Sequence, residues 1–332
     1  MHPLLRQDAE RLRVMADVLP SVEDQLATFP EVEACWQPSD FLPDFGGPTW
    51  REELDELRAE AARLEDDMLV VLVGNVVTEE ALPSYQTALN RFGGMTDATG
   101  TERHAWACWS RAWTAEEKRH GDVTRAYLLL GGRVAMREVE RTIQHLLRNG
   151  FDTGADGDPY KGLAYASIQE HATKTSWHQL GRVVRRAGAD RLRRLCGLVA
   201  ADEARHERAY RGVLLGVLER DPDGALEALR HVAGHVAMPA RLMGKDGDVS
   251  LFRRFSAVGT HLGIYSLHDY ADNLEGLLDE AGVGHLTDLG PDGARLQDEL
   301  CDMPARYRRQ AEAQSKRRHI PTPFPWIHDR RA

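Results

Sequence analysis

The chain holds two Glu-x-x-His sequences and no others, Glu117-Lys-Arg-His120 and Glu203-Ala-Arg-His206. On a helix, residues three apart share a face, so each pair can present a carboxylate oxygen and an imidazole nitrogen to one ion. That donor set suits iron or manganese. A single copy in a chain with 14 histidines reads as a surface Glu–His pair. Two copies raise a sharper question: whether further carboxylates stand at the same height. Glu79 lies 38 residues before Glu117, with the Gly-rich stretch 92–100 near the midpoint. Glu170 lies 33 residues before Glu203, with a turn expected around Gly188. At about 1.5 Å per residue, all four acids fall roughly 20–25 Å from their turns. Each half then forms a hairpin that carries Glu, turn, Glu-x-x-His.

Two such hairpins supply what a dinuclear site in a ferritin-like bundle needs: one Glu-x-x-His from each of two helices and a lone Glu from each of the others. Nearby residues fit that reading. Asp202 precedes Glu203 and could accept the free ring N–H of a ligand histidine. Pro83 withholds the N–H that would bond the Glu79 carbonyl, so the helix should kink there. Trp106, Trp109 and Trp113 form a stripe on the approach to Glu117, equally suited to packing.

Long helices must position these groups. Helical patterning covers 51–67, 68–91, 102–130, 135–149, 161–187 and 190–219, separated by Gly/Asp-rich breaks. The expected fold is all-α: a ferritin-like di-iron helical bundle with additional C-terminal helices and an extended C-terminal tail. The chain reads as one domain over 1–332, with a lead-in at 1–50, the four-helix core at 51–219 and packed helices plus tail at 220–332.

Bulk properties exclude several classes. With 42 basic and 52 acidic residues, net −10, the chain lacks the basic field that phosphate backbones require, so no nucleic acid partner is expected. Cys35, Cys108, Cys196 and Cys301 form no Cys-x-x-Cys pair and read as reduced thiols. The most apolar run, 68–77, is about half the ~20 residues that a membrane span needs, so no membrane insertion is expected. No phosphate loop, Gly-x-Ser-x-Gly elbow or His-Glu-x-x-His motif occurs.

At these residues the chain resembles the soluble acyl-[acyl-carrier-protein] desaturase family. The likeness runs through CWQPSDFLP (35–43), VVLVGNVVTEEALPSYQT (70–87), WSRAWTAEEKRHGD (109–122), IQEHAT (168–173), AADEARHERAY (200–210), FSAVGTHLGIYSLHDYAD (255–272) and PTPFPWIHDR (321–330). The resemblance implies that Glu79, Glu117, His120, Glu170, Glu203 and His206 bind two iron ions, with Glu117 and Glu203 bridging. It implies catalytic roles for Thr173, in handling oxygen-derived protons, and for Trp36, in passing electrons inward by way of Asp202 and His120. It further implies a substrate carried on acyl carrier protein, ferredoxin as electron donor, O2 as oxidant and a homodimer. The start of the chain, without a plastid-type leader, suggests a bacterial, cytoplasmic member. Phe92 falls at the far end of the family's substrate channel, and its bulk points to a chain shorter than stearoyl, such as palmitoyl. Docking of an acidic carrier needs positive charge. Candidates are Arg133, Arg137 and Arg141, expected on one helical face, and the run Lys316-Arg317-Arg318.

Two other readings use the same ligands: a related di-iron oxygenase that hydroxylates a carrier-bound substrate, and a ferritin-like iron-binding protein. The roughly 110-residue C-terminal addition argues against the second, because such chains are short single bundles.

Overall fold

The computed structural model describes residues 3–235, 237–315 and 322–327. Among these residues there is no β-strand, and the α-helices are α1 (Pro3–Asp17), α2 (Leu19–Leu26), α3 (Trp50–Ala61), α4 (Asp66–Glu79), α5 (Leu82–Leu89), α6 (Ala105–Gly131), α7 (Met136–Asn149), α8 (Pro159–Arg186), α9 (Asp190–Arg220), α10 (Pro222–Gly234), α11 (Ser250–His261), α12 (Leu267–Glu280) and α13 (Pro291–Ser315). The bundle is built from α4 with α5, α6, α8 and α9. Helix α8 folds back onto α9 through a tight turn at 187–189, where Gly188 takes a positive φ of 70°. Only glycine adopts that conformation without steric cost.

Helix α4 is apolar on nearly all sides, with residues 68–77 buried, so it runs through the interior and not across its surface. Helix α11 covers it on one side, while α10 and α12 pack over α8 and α13 packs on those two. The tail returns to the body at Phe324, Trp326 and Ile327, all buried, and the Trp326 carbonyl accepts from the Ala135 N–H at the start of α7.

Two boundaries differ from the sequence reading. The pattern over 68–91 suggests one helix, but the chain breaks at Glu80–Ala81 into α4 and α5, directly after Glu79. Pro83 sits in the first turn of α5, where a missing N–H costs least. The helix expected over 51–67 ends at Ala61, and Leu64 packs from the following turn.

The apolar residues fall into two cores stacked along the helices. One holds Leu57, Leu72, Val123, Trp177 and Val199; the other holds Trp109, Leu163, Tyr210, Val213 and Leu274. Each long helix passes from one core to the other, as α6 does from Trp113 to Val123 and α9 from Val199 to Tyr210. Between the cores lies a buried polar layer, and all six predicted metal ligands are in it.

Helix α9 begins at Asp190 without a cap from its own N-cap residue, Ala189. Glu60 of α3 supplies the acceptors: its carboxylate takes the N–H groups of Arg191 and Leu192 at 2.9 and 3.0 Å and the Tyr127 hydroxyl at 3.1 Å. Glu60→Ala leaves two buried donors and one half-buried donor without partners, and stability is expected to fall by about 1–3 kcal/mol. Urea unfolding checks this; a midpoint equal to that of the parent protein would mean that water replaces the carboxylate.

Candidate metal centre

Helix α4 delivers Glu79 at its last residue, α6 delivers Glu117 and His120, α8 delivers Glu170, and α9 delivers Glu203 and His206. The hairpin spacing brings all six together in two overlapping groups. Glu79, Glu117, His120 and Glu203 form one, and Glu117, Glu170, Glu203 and His206 the other; within each, the ligand atoms lie within 4.8 Å of one another. Glu117 and Glu203 belong to both groups, as bridging carboxylates would.

The two faces of each imidazole are treated differently. The outward nitrogens are satisfied: His120 Nε2 lies 3.2 Å from Asp202 Oδ2, and His206 Nε2 lies 2.9 Å from Glu116 Oε2. The inward nitrogens are not. His120 Nδ1 and His206 Nδ1 make no well-formed hydrogen bond, nor do Glu117 Oε1 and both oxygens of Glu203, although all are buried and His206 Nδ1 lies 3.0 Å from Glu117 Oε1. Native proteins pair such groups almost without exception. Acceptor atoms that converge in a dry layer with no protein donor fit a pair of cations.

Electrostatics separate the two shells further. Burial, then the neighbouring Glu117 carboxylate, pushes Glu79 well above the usual carboxylate range, and burial does the same to Glu170. Burial would also raise Asp202, but His120 and Arg205 outweigh it and hold that carboxyl down at about 2. Glu116 is likewise held low against burial by His206 and Arg205. The outer carboxylates are thus charged with protein support, whereas Glu79 and Glu170 await positive charge.

The indole N–H of Trp177 donates to Glu79 at 2.9 Å, and that of Trp113 to Glu170 at 3.2 Å, so each lone glutamate has one tryptophan donor. Trp36 donates to Asp202 Oδ2 at 2.9 Å and lies parallel to His120, with ring centroids 6.0 Å apart, forming a continuous contact from the lead-in segment to a ligand. Thr173, one turn after Glu170, keeps its hydroxyl on the Gln169 carbonyl at 3.0 Å.

Sequence reading identified Asp202 but missed Glu116, which plays the same part for the other histidine. It also missed Arg119 and Arg205, which contact both outer acids. The signal was present: the internal echo is five residues long, Glu116-Glu117-x-Arg-His and Asp202-Glu203-x-Arg-His.

Two spaces meet at the ligands. One, of about 410 Å³, runs past Phe252, Arg253 and Arg241 down to Thr78, Glu79 and Thr173. The other, of about 70 Å³, continues from Glu79, Glu170 and Thr173 to Phe92, Phe151 and Gly162. Phe92 lines this second space, fitted against Gly162 so closely that a Cβ there would meet its ring at 2.6 Å. The docking candidates fare differently. Arg133 precedes α7 and is not on a shared face with Arg137 and Arg141; it donates to the Ala61 carbonyl at 2.8 Å and pairs with Asp66. Arg137 and Arg141 are exposed on α7, and neither lines either space. Lys316, Arg317 and Arg318 lie outside the described residues.

A family model described as fatty acid desaturase matches residues 10–328. The chain is 46% identical over 314 residues to an acyl-[acyl-carrier-protein] 6-desaturase of Thunbergia alata, covering 93% of this chain and 81% of the relative. It is 46% identical over 311 residues to a chloroplastic stearoyl-[acyl-carrier-protein] 9-desaturase of Ricinus communis, covering 93% and 78%. Among solved structures, DesA2 of Mycobacterium tuberculosis H37Rv, assigned as an acyl-ACP desaturase, superposes with a TM-score of 0.54 at 16% identity, covering 86% of this chain and 99% of the other. That superposition supports the ferritin-like bundle. Among the described residues, no helix is long and apolar enough to cross a membrane.

Because Glu203 belongs to both groups, Glu203→Ala is expected to cut Fe(II) uptake from two ions per chain to fewer than one. Glu79→Ala should spare the ion nearest His206. Anaerobic titration with metal analysis measures both, and two ions retained in Glu203→Ala would remove that residue from the ligand set.

Proposed function

This chain belongs to the acyl-[acyl-carrier-protein] desaturases of the fatty acid desaturase family, and from that premise we propose that it inserts a cis double bond into a saturated chain carried on acyl carrier protein. The overall reaction consumes the acyl chain, O2, two electrons and two protons, and yields the alkene and two waters. The observation that carries this reading is the junction of the two spaces at Glu79 and Thr173: a chain threaded through them must pass beside the converging carboxylates. Two iron ions, held by Glu79, Glu117, His120, Glu170, Glu203 and His206, would supply the oxygen-activating redox chemistry.

The protein's own groups do the rest. Phe252, Pro239 and Ile264 present an apolar wall that holds methylenes and excludes water. Phe92 stops the chain end and so selects length. Thr173, one turn from Glu170, would handle the protons that accompany reduction of oxygen. Trp36, Asp202 and His120 form the inward path for electrons from a ferredoxin. Arg241 and Arg253, at the wider opening, replace Arg133, Arg137 and Arg141 as the first candidates to meet an acidic carrier protein. A homodimer remains part of this reading through the family.

Iron-loaded protein, reduced ferredoxin, O2 and acyl carrier proteins bearing C14 to C18 chains form the test, with products weighed by mass spectrometry. A product two mass units lighter than its substrate is expected, with C16 preferred to C18. A product sixteen units heavier would make the protein a hydroxylase. Phe92→Ala should move the optimum toward C18; an unchanged optimum would mean that Phe92 does not bound the chain. Trp36→Phe should slow turnover with ferredoxin at least tenfold while leaving iron content at two per chain, and unchanged turnover would place electron entry elsewhere.

A further inference from the structure

The outer ring of the metal centre has one member, Arg205 of α9, that serves both halves. Glu116 sits on α6 and backs His206; Asp202 sits on α9 and backs His120. Glu116 Oε2 faces His206, and Asp202 Oδ2 faces both His120 and Trp36. Arg205 Nη2 lies 2.6 Å from Glu116 Oε1 and 2.6 Å from Asp202 Oδ1, and 2.8 Å from Glu116 Oε2. The Arg205 side chain is only 15% exposed. Arg119, the equivalent arginine of the first motif, reaches the same two acids more loosely, at 3.1 and 3.6 Å, and spreads over Trp36 instead. The near twofold symmetry of the site therefore fails at this point. Arg205 is the arginine at hydrogen-bond distance from both acids, closing the circuit His206–Glu116–Arg205–Asp202–His120 and tying α6 to α9 across the outside of the ligands.

We infer that Arg205 is a positioning residue that couples the two ion sites, fixing the orientation of both ligand imidazoles through one guanidinium. Both carboxylates are met through Nη2, whose two N–H bonds lie in the fixed guanidinium plane, whereas an ammonium on a flexible stem has no such fixed plane. Groups that orient a ligand imidazole typically change metal affinity by about 10–100-fold when removed. Removing Glu116 or Asp202 should release one imidazole each; removing Arg205 should release both. The inference rests on the six residues binding two ions, and uptake of Co(II) by the parent protein tests that premise separately.

Cobalt-loaded protein reads the effect without turnover. In the parent protein, the exchangeable Nε2–H protons of His120 and His206 should give two hyperfine-shifted NMR resonances that vanish in D2O. Glu116→Gln is expected to shift one of them and Asp202→Asn the other. Arg205→Gln should shift both and weaken binding of both Co(II) ions by about 10–100-fold. Arg205→Lys keeps the charge and serves if the glutamine variant does not fold; it too should shift both resonances. A variant of Arg205 that moves only one resonance, or neither, would overturn the coupling, as would an Arg205→Lys protein indistinguishable from the parent, since a bare charge would then suffice. Failure of the parent protein to bind two Co(II) ions would remove the premise, and the inference with it.

Discussion

Four carboxylates and two imidazoles share one dry layer, and the rest of the molecule is arranged around the cost of keeping them there. An unpaired charge buried among apolar side chains costs several kcal/mol even after relaxation, so this layer opposes folding unless something positive occupies it. The two hydrophobic cores above and below are the counterweight. Each long helix is anchored in both cores, by residues such as Trp113 and Val123 on α6, so the polar layer cannot relax outward without unpacking one of them. Helix length follows from the same demand. A helix that ended at the layer would surrender its hold on one core. Helix α4 does end there, at Glu79, and α5 with the Pro83 turn restarts the path immediately.

Polar satisfaction is distributed with a purpose. Outside the ligands, acids and bases are matched: Asp202 and Glu116 have arginine and imidazole partners, and both are held in the charged form. Inside, the atoms that face one another are all acceptors or ring nitrogens without donors. A protein selected only for stability would mix these populations. Their separation into a satisfied shell and an unsatisfied centre stores the mismatch where a cation can relieve it, so metal binding and completion of the fold draw on the same free energy.

The centre was largely legible in the sequence because helical geometry converts spacing into height. A step of three positions from Glu to His means one face, and steps of 38 or 33 positions between acids mean one level on either side of a turn. Asp202 was readable for the same reason, being adjacent to a ligand. Glu116 escaped although it holds the equivalent place, because the echo was read over four residues when it extends over five. The break after Glu79 was foreshadowed by Pro83, yet the unbroken apolar run through Val77 masked where it would fall. Arg133 was misplaced by one turn of reasoning: helical spacing to Arg137 and Arg141 means nothing unless the helix already exists there, and α7 starts only at Met136. The passage leading to the ligands could not have been read at all. Its lining comes from α4, α8, α11 and the turn at 239–242, brought together only by tertiary packing.

The lead-in segment gives the centre a temporal order as well as a shape. Trp36 reaches Asp202 across 166 positions of sequence, whereas the ligand hairpins close locally, α8 on α9 through a three-residue turn. Contacts between distant positions carry a larger loop-closure entropy, which favours the α8–α9 hairpin early and the Trp36 contact late. The carboxylates of α8 and α9 are therefore level with each other before the lead-in strap is in place. Docking of that strap, fastened by the Trp36 N–H on Asp202, is what closes the outer ring around the buried acids.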